Sequence, residues 1–114
     1  MAYSEPYDAI DEKTRDISRA ITSLREELEA VDWYNQRVNT TKDAELKGVM
    51  AHNRDEEIEH AAMTLEWLRR NMDGWDHELK TYLFSSGSVL EAEEGGAEES
   101  SAHASSLSIG DLKK

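Results

Sequence analysis

Apolar side chains recur along the first part of the chain at the spacing of amphipathic helices. They lie three, four or seven residues apart, which places them on one face of a helix with 3.6 residues per turn. The first series predicts a helix from about Asp11 to Arg37 and consists of Ile17, Ile21, Leu24, Leu28, Val31 and Val38. The second series predicts a helix from near Thr41 to about Asn71 and consists of Leu46, Met50, Ile58, Ala61, Leu65 and Leu68.

Short turns separate the predicted helices. Thr40, with Asp43 three residues later, resembles a capping box at the start of the second helix. The run Asn71-Met72-Asp73-Gly74 supplies a stop, and a short third helix follows from Trp75 to Phe84. Connections this short make the two long helices antiparallel neighbours. The predicted fold class is therefore all-α, an antiparallel two-helix hairpin plus a short C-terminal helix, with a strand content near zero.

A hairpin of two long helices leaves apolar surface uncovered. Helices of about 27 residues are about 40 Å long at 1.5 Å per residue, and each has only one partner surface. Because two helices do not enclose a core, we expect the chain to dimerise or to assemble further. A second hairpin would then cover the exposed stripe and complete a four-helix bundle.

The composition changes sharply near Gly87 and divides the chain into three parts. Residues 1–84 hold every aromatic side chain and form the predicted helical hairpin domain. Residues 85–106 contain glutamate but no basic or aromatic residue, and we interpret them as a flexible acidic tether. Residues 107–114, LSIGDLKK, alternate apolar side chains along a short peptide that suits a groove on another protein.

Charge and composition exclude several classes of function. The chain has 114 residues, with 25 acidic residues against 13 basic ones and a net charge of -12, so it offers no basic face for nucleic acid. With no cysteine, any metal must bind carboxylate, imidazole or carbonyl groups. No run approaches the ~20 apolar residues of a membrane span, and MAYSEPYDAIDEK lacks the features of a secretion signal. We therefore expect a cytoplasmic chain whose converging carboxylates bind cations.

The second helix carries a Glu-x-x-His spacing at Glu57 and His60. Residues three apart lie on one helix face, so this carboxylate and this imidazole can bind one metal ion together. Both lie on the seam where core residues are expected, and a metal offsets the cost of burying a carboxylate there. Glu56, four residues before His60, is an alternative ligand.

The first helix places another acid, Glu27, in an apolar stripe. One Glu on one helix and one Glu-x-x-His on its neighbour make up half of the four-helix di-iron carboxylate set, and a two-fold dimer would supply the other half. Alternatively, the acids form buried ion pairs, for which Arg25, Arg37 and Arg54 are available. The chain is then a non-enzymatic helical interaction module, with its acids paired or bound to structural Ca²⁺ or Zn²⁺. A di-manganese or mixed-metal oxidase is a third interpretation.

Three segments carry a resemblance to a known family. They are EELEAVDWYNQRV over residues 26–38, HNRDEEIEHAAMTLEWLRR over residues 52–70 and the terminal LSIGDLKK. Together they resemble the encapsulated ferritins, the cargo proteins of encapsulin nanocompartments. The resemblance implies a ferroxidase, an iron:oxygen oxidoreductase that oxidises Fe(II) to Fe(III) with dioxygen at a di-iron centre across a dimer interface. It also implies a ferritin-like bundle that is completed by dimerisation and supplies iron for mineral storage inside the shell.

The resemblance assigns site residues position by position. It implies that Glu27, Glu57 and His60 are the iron ligands, with two Fe ions per dimer interface, and that Tyr34 lies beside the site. Ca²⁺ or Zn²⁺ is expected to substitute for iron in vitro. The path by which metal enters is implied to run past Glu26, Glu29 and Trp33.

The resemblance also implies the partners of the chain. The first is the chain itself, as a dimer and then as a ring-shaped decamer of five dimers. The second is an encapsulin shell protein, bound through the C-terminal peptide with Leu107, Ile109 and Leu112 as the apolar contacts. The expected location is the cytoplasm, inside an encapsulin nanocompartment, with no nucleic acid or membrane partner.

Overall fold

The structure, a computed structural model, describes residues 3–93 of the chain. The described residues are helical and contain no strand, which confirms the predicted all-α class. In chain order the elements are a short 3-10 helix (Tyr7–Ala9), α1 (Glu12–Thr40), α2 (Ala44–Asn71) and α3 (Trp75–Tyr82).

Aspartate side chains start both long helices. The Asp11 carboxylate accepts a hydrogen bond from the Thr14 N–H at 2.8 Å, and the Asp43 carboxylate accepts one from the Leu46 N–H at 2.9 Å. These bonds satisfy backbone donors that the first turn of a helix leaves unpaired. The predicted capping box at Thr40 and the predicted helix start near Thr41 are therefore wrong. Thr40 is the last residue of α1, and its hydroxyl group donates to the Gln36 carbonyl oxygen at 3.3 Å.

The N-terminal residues are attached to α1 through one arginine, which the sequence patterns did not predict. The Arg15 guanidinium group lies 3.7 Å from the centre of the Tyr7 ring and donates to the Tyr7 carbonyl oxygen at 2.6 Å. A cation on an aromatic face and a charge-assisted hydrogen bond therefore stabilise the 3-10 turn together.

The two long helices pack against one another as an antiparallel hairpin, joined by residues 41–43. Arg54 of α2 donates to the Asn35 side-chain oxygen of α1 at 3.0 Å and links the helices near their connection. Among the described residues Leu68 is the one fully buried side chain. Apolar side chains that remain substantially exposed on the hairpin include Leu28, Trp33, Met63 and Trp67. The hairpin alone thus does not close a core.

The chain divides between Asp73 and Gly74 into two units, of which the hairpin is the first. In the second unit α3 begins after Gly74, whose positive φ of 101° suits a residue without a side chain. This helix ends at Tyr82, two residues before the predicted end, and Phe84 has a left-handed φ of 62°.

The predicted acidic tether lies only partly within the described residues. Residues 89–93 are helical, whereas the tether was expected to lack regular structure. The rest of the tether and the terminal peptide lie outside the described residues. A search of the described helices found none with the length and apolar character that a membrane span requires.

Candidate metal centre

Three potential metal ligands converge where the two long helices pack. Glu27 lies near the middle of α1, and Glu57 and His60 lie three residues apart on α2. One ligand atom from each lies within 4.8 Å of the other two, and all three side chains are half-buried. This is the one such group of three among the described residues. The structure therefore brings together the acid and the Glu-x-x-His pair that sequence patterns singled out on separate helices.

The imidazole of His60 faces both carboxylates through the same nitrogen. Its Nδ1 lies 3.2 Å from Glu57 Oε1 and 3.7 Å from Glu27 Oε1. Helical spacing sets the contact to Glu57, because side chains three residues apart are neighbours on the surface. The contact to Glu27 depends on the packing of α1 against α2.

The three groups shift one another's pKa values. A hydrogen bond with the Glu57 carboxyl group raises the pKa of Glu27 above its usual value, and desolvation and the negative charge of Glu57 add to the rise. The same hydrogen bond lowers the pKa of Glu57, and the contact with His60 lowers it further. The hydrogen bond to Glu57 raises the pKa of His60, although partial burial opposes the change. A positive charge is thus favoured between the two carboxylates.

The same arrangement can hold a metal cation in place of the proton. Two ligands at about 2.1 Å from one metal ion lie at most about 4.2 Å apart. Both contacts of the imidazole are shorter than this limit. All ligand atoms of the group lie within 4.8 Å of one another, so a small side-chain movement brings every pair within the limit. Carboxylate and imidazole donors suit Fe(II), Mn(II) and Zn(II). The described chain supplies three such ligands, whereas a di-iron carboxylate centre uses four glutamates and two histidines.

The structure separates Glu57 from Glu56, the alternative that the sequence left open. Glu57 belongs to the converging group, whereas Glu56 is exposed and acts on His60 only through its charge. The alternative, in which arginines form buried ion pairs with these acids, is not observed among the described side chains. None of their ion pairs joins an arginine to Glu27 or Glu57, and Arg54 instead contacts Asp55 and Asn35.

A shallow apolar groove of about 360 Å³ continues the face that carries the three ligands. Thr64 lies one turn beyond His60, and Ser23 lies one turn before Glu27, so the groove begins directly beside the ligands. Its lining residues are Arg19, Ala20, Ser23, Met63, Thr64 and Trp67. Small side chains on α1 and exposed apolar side chains on α2 thus give this face the character of a contact surface.

Two aromatic residues lie on the other side of the ligands. Tyr34 follows Glu27 by seven residues, almost two full helical turns, and so lies on nearly the same face of α1 about 10.5 Å away along the axis. Its side chain is half-buried, whereas that of Trp33 is 49% exposed. Within one chain the described structure therefore does not bring either aromatic residue into the converging group.

The remaining predicted site residues lie apart from the ligands or outside the described chain. Glu26 and Glu29 are exposed on α1, and the charge of Glu26 contributes to the raised pKa of Glu27. The predicted shell contacts Leu107, Ile109 and Leu112 lie outside the described residues.

Sequence patterns missed one contact near the site. The Arg37 guanidinium carbon lies 5.3 Å from the centre of the Tyr34 ring and 6.0 Å from that of Trp33. The spacing of three and four residues between Arg37 and the two aromatic residues is the signal that could have revealed this contact.

Known proteins are similar to this chain in sequence and in fold. The EncFtn-like family model matches residues 2–86. A "Ferritin-like protein" of Thermotoga maritima is 58% identical over 99 residues, which cover 84% of this chain and 87% of the relative. An "Encapsulated ferritin-like protein" of Rhodospirillum rubrum is 51% identical over 120 aligned residues, which cover 96% of this chain and 86% of the relative. A crystal structure of a Nitrosomonas europaea protein superposes with a TM-score of 0.74 at 61% identity, covering 77% of this chain and 98% of that one.

Proposed function

The chain belongs to the EncFtn-like family of encapsulated ferritin-like proteins, and on this premise we propose that it is a ferroxidase. Two copies bind two Fe(II) ions between their hairpins and oxidise them to Fe(III) with dioxygen. The product supplies a mineral store inside an encapsulin nanocompartment. Iron is therefore both substrate and cargo of the protein.

The convergence of Glu27, Glu57 and His60 carries this proposal. Each chain holds two carboxylates and one imidazole within 4.8 Å of one another, which is half of a di-iron carboxylate set. Two-fold pairing of two such faces doubles the set and places two metal ions side by side. The two ions together can give two electrons to dioxygen, and the carboxylates accommodate the change in metal charge.

The apolar surface beside the ligands supports pairing through this face. Met63 is 59% exposed and Trp67 is 37% exposed in the single chain, and both line the groove that adjoins His60. A second hairpin that covers them removes apolar area from water and completes the four-helix bundle. We assign this face to the dimer interface, and we propose that five such dimers assemble into a ring.

The neighbouring residues take supporting roles in the proposed site. The exposed carboxylates of Glu26 and Glu29 attract Fe(II) and lead it past Trp33 toward the ligands. Tyr34 lies beside the completed site, where its hydroxyl group can donate a hydrogen bond to a ligating carboxylate.

The C-terminal peptide gives the chain its location. We assign Leu107, Ile109 and Leu112 to apolar contacts with a groove of the shell protein. The relative from Rhodospirillum rubrum carries the name of an encapsulated protein, which supports a location inside the shell.

The test is aerobic oxidation of Fe(II) by the purified protein at about two irons per dimer, with E57Q and E56Q as a matched pair. Each variant removes one carboxylate charge, and the two positions are adjacent on α2, but only Glu57 belongs to the converging group. We expect E57Q to lower the initial rate at least about tenfold and E56Q to retain it.

Two outcomes would contradict the proposal, and a third would change its metal. Equal rates in buffer and in wild-type protein would favour a non-enzymatic, metal-stabilised cargo module. Rapid oxidation that E57Q retains would place the reaction elsewhere in the chain. Oxidation of Mn(II) but not Fe(II) would retain the site and change the metal.

A further inference from the structure

Arg37 contacts two aromatic rings at once, near the C-terminal end of α1. Its guanidinium carbon lies 5.3 Å from the ring centre of Tyr34 and 6.0 Å from that of Trp33. Both distances fall within the range in which a cation is attracted to an aromatic face. Because a guanidinium group is planar and weakly hydrated, it can lie against rings in this way better than an ammonium group.

This contact lies where the two long helices are linked. Asn35, between Tyr34 and Arg37, accepts the hydrogen bond from Arg54 at 3.0 Å. Arg54 precedes the proposed ligand Glu57 by three residues, so it lies one turn away on α2. The backbone that carries the two rings is thus held against the backbone that carries the ligands, whereas the ring orientations depend on side-chain contacts.

The Trp33 ring in particular needs such a contact. It is 49% exposed, so packing within the chain covers only half of it. A large exposed side chain otherwise samples several staggered rotamers. The attraction to Arg37 favours the rotamer in which both rings face the guanidinium group.

We propose that Arg37 is a positioning residue for the proposed iron oxidation: it holds the rings of Trp33 and Tyr34 in one arrangement, on which the turnover rate depends. This role rests on the proposed function, in which Tyr34 lies beside the completed site. Arg37 itself touches neither the ligands nor iron.

The distance from the ligands separates an effect on turnover from one on iron affinity. Arg37 follows Glu27 by ten residues, about 15 Å along the helix axis. Salt screens charges over about 8 Å at physiological ionic strength, so the positive charge of Arg37 acts weakly on iron bound at Glu27. Loss of the charge therefore changes kcat through the rings and leaves KM for Fe(II) nearly unchanged.

The experiment compares R37M, R37K and R25M in the full-length chain. R37M removes the cation and keeps an unbranched side chain, R37K keeps a cation, and R25M removes the same charge from an exposed position of the same helix. The first measurement is the tryptophan emission spectrum, with each variant also made in a W33F background to isolate Trp33. The second is kcat and KM for aerobic Fe(II) oxidation.

We expect R37M to change the Trp33 emission and to lower kcat about two- to fivefold, the factor that corresponds to a cation–π contact at an exposed site. KM stays unchanged, and R25M matches the wild type. R37K restores only part of both signals, because an ammonium group lies against aromatic rings less well than a guanidinium group. A Trp33 emission that R37M leaves unchanged overturns the proposed contact. Equal losses of kcat in R37M and R25M, or a rise in KM alone, overturn the positioning role.

If the wild type oxidises Fe(II) no faster than buffer, the proposed function fails first, and the emission spectra still decide whether Arg37 orders Trp33.

Discussion

Replacement of Glu27 by glutamine is expected to move the stability of the metal-free and the metal-loaded protein in opposite directions. In the metal-free chain, Glu27 and Glu57 present two carboxylates within 4.8 Å of each other. The raised pKa of Glu27 reflects the proximity of Glu57 together with burial. Above this pKa both groups are charged and repel one another, whereas a neutral amide can donate a hydrogen bond to Glu57.

The magnitude follows from the distance. At a separation of 4.8 Å, the limit within which their ligand atoms lie, two unit charges repel by about 1 kcal/mol in water, and salt lowers this to about 0.5 kcal/mol. Both side chains are about one-quarter exposed, at 26% and 24%, so salt screens them only in part and we take the repulsion as about 0.5–1 kcal/mol. We expect E27Q to raise the unfolding midpoint of the metal-free protein by about 2–8 °C, the shift that 0.5–1 kcal/mol produces in a domain of this size.

In the metal-loaded protein E27Q is expected to lower the stability, because the amide is a poorer metal ligand than the carboxylate. At a free metal concentration 100 times Kd, binding adds about 2.7 kcal/mol to the stability of the wild type. A tenfold weaker Kd in E27Q removes about 1.4 kcal/mol of this gain, which exceeds the repulsion relieved. The metal-loaded variant is therefore less stable than the metal-loaded wild type.

The assay is thermal unfolding followed by circular dichroism at pH 8, at one fixed protein concentration, with chelator or with anaerobic Fe(II). A fixed concentration is needed because assembly makes the midpoint depend on it. E59Q is the matched control, since it removes one charge from an exposed position and is expected to change neither midpoint. If E27Q shifts both midpoints in the same direction, or if E59Q reproduces its effects, Glu27 is not a metal ligand paired with Glu57.

Three further predictions concern His60, the start of α2 and the C-terminal peptide. The pKa of His60 is raised in the folded protein, so protonated His60 stabilises the metal-free protein. This contribution is fully present below about pH 6.5 and is lost as the pH rises through the raised pKa. In the metal-loaded protein stability instead rises with pH, because protons compete with the cation for His60. Melting curves from pH 5.5 to 8.5 test both trends, and H60Q is expected to flatten them. D43A removes the cap of α2 and is expected to cost about 1 kcal/mol in urea unfolding, whereas T40A is expected to cost less because Thr40 caps nothing. Deletion of residues 107–114 is expected to leave Fe(II) oxidation intact and to abolish co-purification with the shell protein, and a truncated chain that still co-purifies would refute the targeting role.

Periodicity predicted the helices well and their ends less well. The apolar spacing located α1 and α2 because a stripe of about 27 residues averages over many positions. The turn between them was misplaced because threonine and aspartate are both good capping residues, and the pattern could not show that Asp43 rather than Thr40 caps α2. The 3-10 turn at Tyr7–Ala9 was missed because it depends on Arg15, six or more residues away, and not on a local pattern.

The candidate ligands were identifiable because their positions contradict the pattern around them. Glu27, Glu57 and His60 are polar residues on apolar seams, and a polar residue there needs a partner. Glu56 could not be excluded from sequence, because spacings of three and four residues before His60 both lie on one helix face. Only the packing of α1 on α2, which brings Glu27 to within 3.7 Å of His60 Nδ1, distinguishes the two.

The charge of the proposed site predicts that assembly and iron binding are linked. Two copies bring four carboxylates together, with a total charge of -4, if each contributes Glu27 and Glu57. An apolar interface that encloses this charge without cations is costly, whereas two Fe(II) ions neutralise it. Iron that binds the paired form and not the separate hairpins therefore shifts the equilibrium toward the dimer. After oxidation the two Fe(III) ions carry +6 against -4, and this excess of positive charge favours the binding of hydroxide from water. Because carboxylates attract Fe(III) more strongly than Fe(II), the ferric product leaves the proposed site only when hydroxide competes with the carboxylates for the iron.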